Sequence, residues 1–221
     1  MRTRGSGESA LLLLDVVDLL TLQNIPYAVV GALAASVHGA VRASMDTDLL
    51  LFAGMQKAEN LRRDFDRAGF LTELTRGDLD DPIPGLLRLR DAHDNQVDLL
   101  LGLRGMDPAA LSRVIAVPFQ GASLAFIGRE DFIAMKLFAG GPLDLVDATP
   151  AITGADGSVT SNYYGGLPAG MAVKLASRSN DCWQVSHRNS PGPGVNKTRA
   201  DKCAMRVRGT HRRWRCRPAR C

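Results

Sequence analysis

Apolar positions recur at helical spacing over Ala10–Gln23. Leu13, Val17 and Leu20 share a face with Leu14 beside them, while Asp15, Asp18 and Gln23 fall elsewhere. Asn24-Ile25-Pro26 ends this helix, because the residue before proline avoids the helical region. Tyr27–Val30 is a short apolar strand running into Gly31, and Ala32–His38 is a small apolar helix closed by Gly39. Asp46–Phe52 is a strand whose far half is continuously apolar, as expected where both faces are covered. Gln56–Ala68 is a charged amphipathic helix stopped at Gly69.

Two further strands, Leu86–Arg90 and Gln96–Leu101, flank the polar turn Asp91–Asn95. Ala116–Phe119 and Ser123–Ile127 form a hairpin around Gln120-Gly121-Ala122. Arg129–Ala139 is a helix with Asp131 in its first turn, and Pro142–Ala148 begins another. This order predicts an α/β or α+β domain on a mixed sheet.

Composition divides the chain. Residues 1–148 hold 14 Lys and Arg against 20 Asp and Glu; residues 149–221 hold 13 against 3. Leu, Ile, Val and Phe make up 49 of the first 148 residues but 8 of the last 73, too few for a charged segment to build a core. The overall charge of +4 therefore describes the second part. The expectation is a folded domain over 1–148 and a basic Gly/Arg/Cys-rich tail over 149–221, poorly ordered and frameshifted or otherwise non-native. With no apolar run of membrane length and no convincing signal peptide, a cytoplasmic protein with no membrane partner is expected.

The chemistry gathers in Asp46-Thr47-Asp48 and in Asp98 of Gln96-Val97-Asp98-Leu99-Leu100. Residues i and i+2 of a strand share a face, so Asp46 and Asp48 project together. Side-by-side carboxylates resist ionisation. A divalent cation removes that cost, and Mg²⁺ takes carboxylates together with substrate phosphates and water. With Asp98 on an adjacent strand, the three could hold a two-metal phosphoryl-transfer site. The alternative is that Asp46 caps a turn while Asp48 and Asp98 are strand-end carboxylates paired with arginine. Gly31 stands fifteen residues before Asp46 at a strand-to-helix junction, a geometry suited to phosphate oxygens.

The segment Gly31–Leu49 resembles the signature of the minimal nucleotidyltransferase superfamily, with its DNA-polymerase-beta-like fold. It is most similar to AbiEii-type toxin nucleotidyltransferases and related bacterial proteins. The family pattern has a small apolar helix, a His-Gly (His38-Gly39), an Arg (Arg42), Asp-x-Asp (Asp46, Asp48) and a hydrophobic strand. The third carboxylate on a later strand is matched by Asp98, and the family's helix pair by Glu130–Asp147. The resemblance implies a mixed sheet flanked by helices and transfer of a nucleoside monophosphate from an NTP. The acceptor would be an RNA end, a protein or a small molecule. It further implies two Mg²⁺ ions and a place in a toxin–antitoxin system with a cognate antitoxin.

Carried over residue by residue, the resemblance makes Asp46, Asp48 and Asp98 the metal-binding and catalytic set. Gly31, Ala32, Arg42 and Lys136 would meet the nucleotide. Arg42 has an alternative role as a salt-bridge partner of Asp46 or Asp48, and Lys136 one as a lysine that snorkels its charge to solvent. His38 reads as a packed core histidine, and Asp144 and Asp147 as helix-surface or helix-pairing residues. Ala32 stands where a Gly or Ser usually helps hold the triphosphate in the family, and Gly141 where an arginine is common. Both departures leave open a catalytically impaired protein that binds nucleotide or nucleic acid without turnover.

In the tail, Cys182, Cys203, Cys216 and Cys221 with His187 and His211 have poor zinc-ligand spacing. Arg206–Arg217, with Trp214, has the composition of a phosphate-backbone grip.

Overall fold

The structure, a computed structural model, describes residues 1–42 and 46–153, together with four short strands: Met171–Ala172, Cys182–Gln184, Ser186–His187 and Ala204–Arg206. The chain divides into two units, Met1–Gly154 and Ala155–Cys221. In the second unit, Met171–Ala172 pairs antiparallel with Ser186–His187, and Cys182–Gln184 with Ala204–Arg206. Those strands fix only the backbone of Cys182, His187 and Arg206. The remaining cysteines, His211 and the rest of the arginine-rich stretch lie outside the described residues.

The first unit contains α1 (Ser9–Leu22), β1 (Tyr27–Val30), α2 (Gly31–Val37), β2 (Asp46–Leu51), α3 (Met55–Arg67), β3 (Leu71–Arg76), β4 (Gly85–Arg90) and β5 (Gln96–Leu100). A 3-10 turn over Pro108–Ser112, β6 (Ile115–Phe119), β7 (Ala122–Phe126), α4 (Arg129–Ala139) and α5 (Pro142–Thr153) complete it. The seven strands form one mixed sheet in the order β3-β4-β5-β2-β1-β7-β6. The fold class is the α/β mixed sheet with flanking helices that the sequence pattern predicts. Among the described residues, no helix is long and apolar enough to cross a membrane.

Alternation along β2 sets the two faces of the sheet. Thr47 and Leu49 are buried on one side, where the Thr47 hydroxyl donates to the Ser9 carbonyl of α1. Leu12, Leu13, Val16 and Leu20 of α1 are wholly buried where α1 packs on β2 and β5; Val97 and Leu99 of β5 and Leu87 and Leu89 of β4 are wholly buried too. Asp46 and Asp48 take the other side, as period-two geometry requires.

The N-terminal segment is tied to the β4–β5 turn through Asn95. Its side chain donates to the Gly5 carbonyl and to Asp91, and accepts from the Glu8 amide.

Two differences from the sequence reading have local causes. β3 is an edge strand whose alternate residues Leu71, Glu73 and Thr75 are exposed, so it lacks the apolar run that marks a covered strand. α5 runs on through Thr149 and Pro150 to Thr153, so the sequence boundary at residue 148 falls inside a helix. Pro150 removes one helical N–H. The hydroxyls of Thr149 and Thr153 donate to the carbonyls of Leu145 and Thr149. Ala148, Ala151 and Ile152 are buried. Gly39, with φ of +98°, lets α5 approach: a Cβ there would lie 3.2 Å from the Pro150 side chain.

Candidate active site

The register of the central strands brings the three aspartates together. β2 and β5 are parallel, with Asp48 directly opposite Asp98 and Asp46 opposite Gln96. β1 runs antiparallel to β2 and places Val30 opposite Asp48. The chain turns at Gly31 immediately afterwards, with φ of +63°. A Cβ at Gly31 would stand 1.9 Å from Asp48 Oδ2. The glycine is therefore what leaves space for the Asp48 carboxylate.

The three carboxylates are held differently. Asp98 is fixed by a two-pronged contact from Arg88 of β4, whose Nε lies 3.1 Å from Oδ1 and whose Nη2 lies 3.4 Å from Oδ2. Gln96 Nε2 donates to Asp98 Oδ1 at 3.1 Å. Asp46 is exposed at the start of β2. Among the described residues, no side chain donates to the carboxylate of Asp48. Burial, then the charges of Asp98 and Asp46, push its carboxyl up to about 6, against the opposing pull of Lys136 and Arg42.

Arg88 is the functional candidate that sequence reading missed. It sits directly across from Asp98 in the β4–β5 register and opposite Glu73 in the β3–β4 register. A charged row Glu73–Arg88–Asp98–Asp48 thus crosses four strands. The signal was present: Arg88 and Arg90 occupy alternate places in an otherwise apolar strand.

The cations expected near phosphate are held by α5. Arg42 Nε lies 3.1 Å from Asp147 Oδ1, and its Nη2 lies 3.3 Å from Oδ2. Arg42 therefore pairs with Asp147 rather than with Asp46 or Asp48. Lys136 Nζ lies 2.9 Å from Asp147 Oδ2 and 2.9 Å from Asp144 Oδ1. It is 7% exposed, so its charge is neutralised inside the protein instead of reaching solvent. Burial works against the protonated lysine, but the hydrogen bonds to the two aspartates outweigh it and hold its pKa above the usual value. Asp147 is completely buried and joins α5 to α4 and to the segment leading into β2.

Ala32 is the second residue of α2 and its side chain is buried. His38 is a packing residue: its Nε2 lies 2.9 Å from the Ile127 carbonyl, its ring meets Phe132, and burial lowers its pKa.

The donor set suits a hard divalent cation in part. Asp48 presents an unengaged carboxylate between two others, so charge neutralisation there is favourable. Asp98 is committed to Arg88. Among the described residues, no group of three or more His, Cys, Asp or Glu is placed so that it could hold a metal ion by itself. The fit is to an open site in which protein carboxylates supply some of the ligands.

No family model matches the chain, and no curated protein matches it. Solved structures do. The lincosamide antibiotic adenylyltransferase LnuA, bound to lincomycin, is 14% identical, with a TM-score of 0.43 over 68% of this chain and 99% of its own. An antigenic nucleotidyltransferase-like protein from Paracoccidioides brasiliensis is 19% identical, with a TM-score of 0.46 over 67% and 77%. ANT(2")-Ia in complex with adenylyl-2"-tobramycin is 14% identical, with a TM-score of 0.44 over 65% and 87%.

Proposed function

We propose that this chain is a Mg²⁺-dependent nucleotidyltransferase. The observation that carries the reading is the convergence of Asp46, Asp48 and Asp98 on one face, beside a glycine turn that opens directly over Asp48. Asp46 and Asp48 are the residues that would hold Mg²⁺, with Asp98 completing the site. When bound, the ion supplies charge neutralisation at the reacting phosphate.

The chain's own residues do the positioning. Gly31 lets the backbone come close to the phosphates. Arg42 and Lys136, both paired with α5 carboxylates in the free chain, are the cations that would meet the nucleotide phosphates. Arg88 holds the Asp98 carboxylate in one orientation on the strand next to Asp48, and Asp98 would accept the proton of the attacking hydroxyl. The acceptor oxygen then bonds to the alpha-phosphorus while the bond to pyrophosphate breaks in line. Such catalysis is mainly positioning and electrostatic stabilisation. The acceptor class is an RNA end, a protein or a small hydroxylated molecule, and a toxin role with an antitoxin partner accords with the sequence resemblance.

A second reading, nucleotide binding without turnover, draws on the engagement of Asp98 by Arg88 and on Ala32. One experiment separates the two. The protein is incubated with each labelled NTP, Mg²⁺ and total RNA or protein, and label transfer and pyrophosphate are followed. Transfer that disappears in Asp48→Asn supports the enzyme. Unchanged transfer in that variant removes the carboxylates' role. Nucleotide binding with no transfer in the wild type establishes the second reading.

A further inference from the structure

Lys136 is a buried cation with two carboxylate partners that differ in kind. Asp147 is sealed, also holds Arg42, and links three elements. Asp144 is partly exposed, in the first turn of α5, and makes one contact with Lys136. The four groups are electrically balanced, two cations against two anions. An arriving phosphate therefore meets no free positive charge here unless one carboxylate withdraws. Asp147 cannot leave without breaking its contacts to both Arg42 and Lys136; Asp144 is partly exposed and holds Lys136 alone, so it can.

The approach of Asp144 depends on its neighbour. A Cβ at Gly141 would lie 2.8 Å from Asp144 Oδ2. Any side chain at 141 would press on the carboxylate where it now sits. The absence of a side chain at that position is thus linked to the Asp144–Lys136 contact.

We propose that Asp144 is a resident counter-ion of Lys136, standing where a phosphate oxygen of the nucleotide binds, and that Gly141 is what admits it. The proposal rests on the nucleotide reading for the identity of the ligand. Binding then exchanges one charge-assisted hydrogen bond for another: Lys136 leaves Asp144 for phosphate and keeps Asp147, and Asp144 swings to water. Affinity for phosphate is held down by this competition, so removing the competitor raises it.

The test uses inorganic tripolyphosphate, which presents the phosphate chain without a base or sugar, in calorimetric titrations of the full chain in magnesium buffer. Asp144→Ala should bind about threefold to fivefold more tightly than wild type, in line with the modest worth of a partly exposed ion pair. Gly141→Ala changes no charge, yet should tighten binding in the same direction by displacing the carboxylate. That second variant separates exchange from simple removal of a nearby negative charge. Lys136→Gln should abolish the gain in both backgrounds. If Lys136→Gln fails to fold, the Asp144 and Gly141 variants, both at partly exposed positions, still decide.

Equal or weaker binding in Asp144→Ala, no change in Gly141→Ala, or no tripolyphosphate binding by wild type overturns the proposal. Label transfer from NTP stands apart from these outcomes. Transfer without tightening removes the counter-ion and leaves the enzyme, and tightening without transfer does the reverse.

Discussion

Gly31 and Asp48 occupy one another's space: the carboxylate lies where any side chain at Gly31 would have to go, 1.9 Å from a Cβ there. Gly31→Ala therefore meets two penalties. A φ of +63° costs an L-residue about 1–2 kcal/mol, and the methyl group must also displace Asp48. We expect a loss of stability of at least about 1–2 kcal/mol in urea melts, with label transfer abolished even at temperatures where the variant is folded. Normal transfer in a folded Gly31→Ala protein would show that Asp48 need not stay where it is.

Asp48 also sets a pH dependence. Its carboxyl is raised from 3.8 to about 6 in the folded protein. Between those values the native state holds more protons than the unfolded chain, so stability falls as pH climbs through the window and levels off above it. Asp48→Asn has no charge to bury. It should be more stable than wild type at pH 7.5 by up to about 3 kcal/mol, with the gap closing below pH 4. Urea melts of both proteins at pH 4, 5, 6 and 7.5 check this, and parallel curves would refute it.

The site's outline was legible because it follows strand arithmetic. Asp46 and Asp48 share a face whatever the topology, and an apolar strand around Asp98 marks a central strand. The adjacency of β5 to β2 is a long-range pairing that no local pattern specifies; it came from the family resemblance. Arg88 was passed over because its meaning depends on register: only when β4 pairs with β5 does it fall opposite Asp98. Asp147 looked like a helix-pairing residue, which it is, but its complete burial and its two cations could not be read from helical spacing. β3 was missed because an exposed edge strand carries no apolar signature, and the span of α5 because proline and threonine argue locally against helix.

Magnesium ought to act on the same carboxylates. If Mg²⁺ is held beside Asp48, adding it at pH 7.5 relieves the repulsion that raises the carboxyl and stabilises the folded state by mass action, about 2.7 kcal/mol at a hundred times Kd. Thermal melts with and without MgCl₂ should show a rise in Tm for wild type and little or none for Asp48→Asn. Equal shifts in both proteins would place the ion elsewhere.

Arg88 grips Asp98 with two nitrogens, a geometry lysine cannot reproduce. Arg88→Gln should lower the transfer rate about tenfold through loss of Asp98 orientation, corresponding to roughly 1.4 kcal/mol. Arg88→Lys should recover only a minor part of that loss while keeping the charge. The two variants should differ little in KM for NTP, since Arg88 contacts Asp98 and not Arg42 or Lys136. Full rescue by lysine would mean that charge alone matters.

Ile152 tests where the folded unit ends. It lies four residues beyond the composition break at 148, yet it is 8% exposed on the last turn of α5, beside the buried Ala148 and Ala151. α5 carries Asp147, and Asp147 holds both Arg42 and Lys136, so loosening the end of this helix should be felt at the site. Ile152→Ala should cost about 2 kcal/mol, the lower end for truncating a buried isoleucine, because the helix end can partly collapse into the space. A surface change such as Thr153→Ala should cost a few tenths of a kcal/mol. Urea midpoints for the two variants make the comparison. If Ile152→Ala were as mild as Thr153→Ala, residues 149–153 would add nothing to the core, and the break in composition would mark the end of the domain after all.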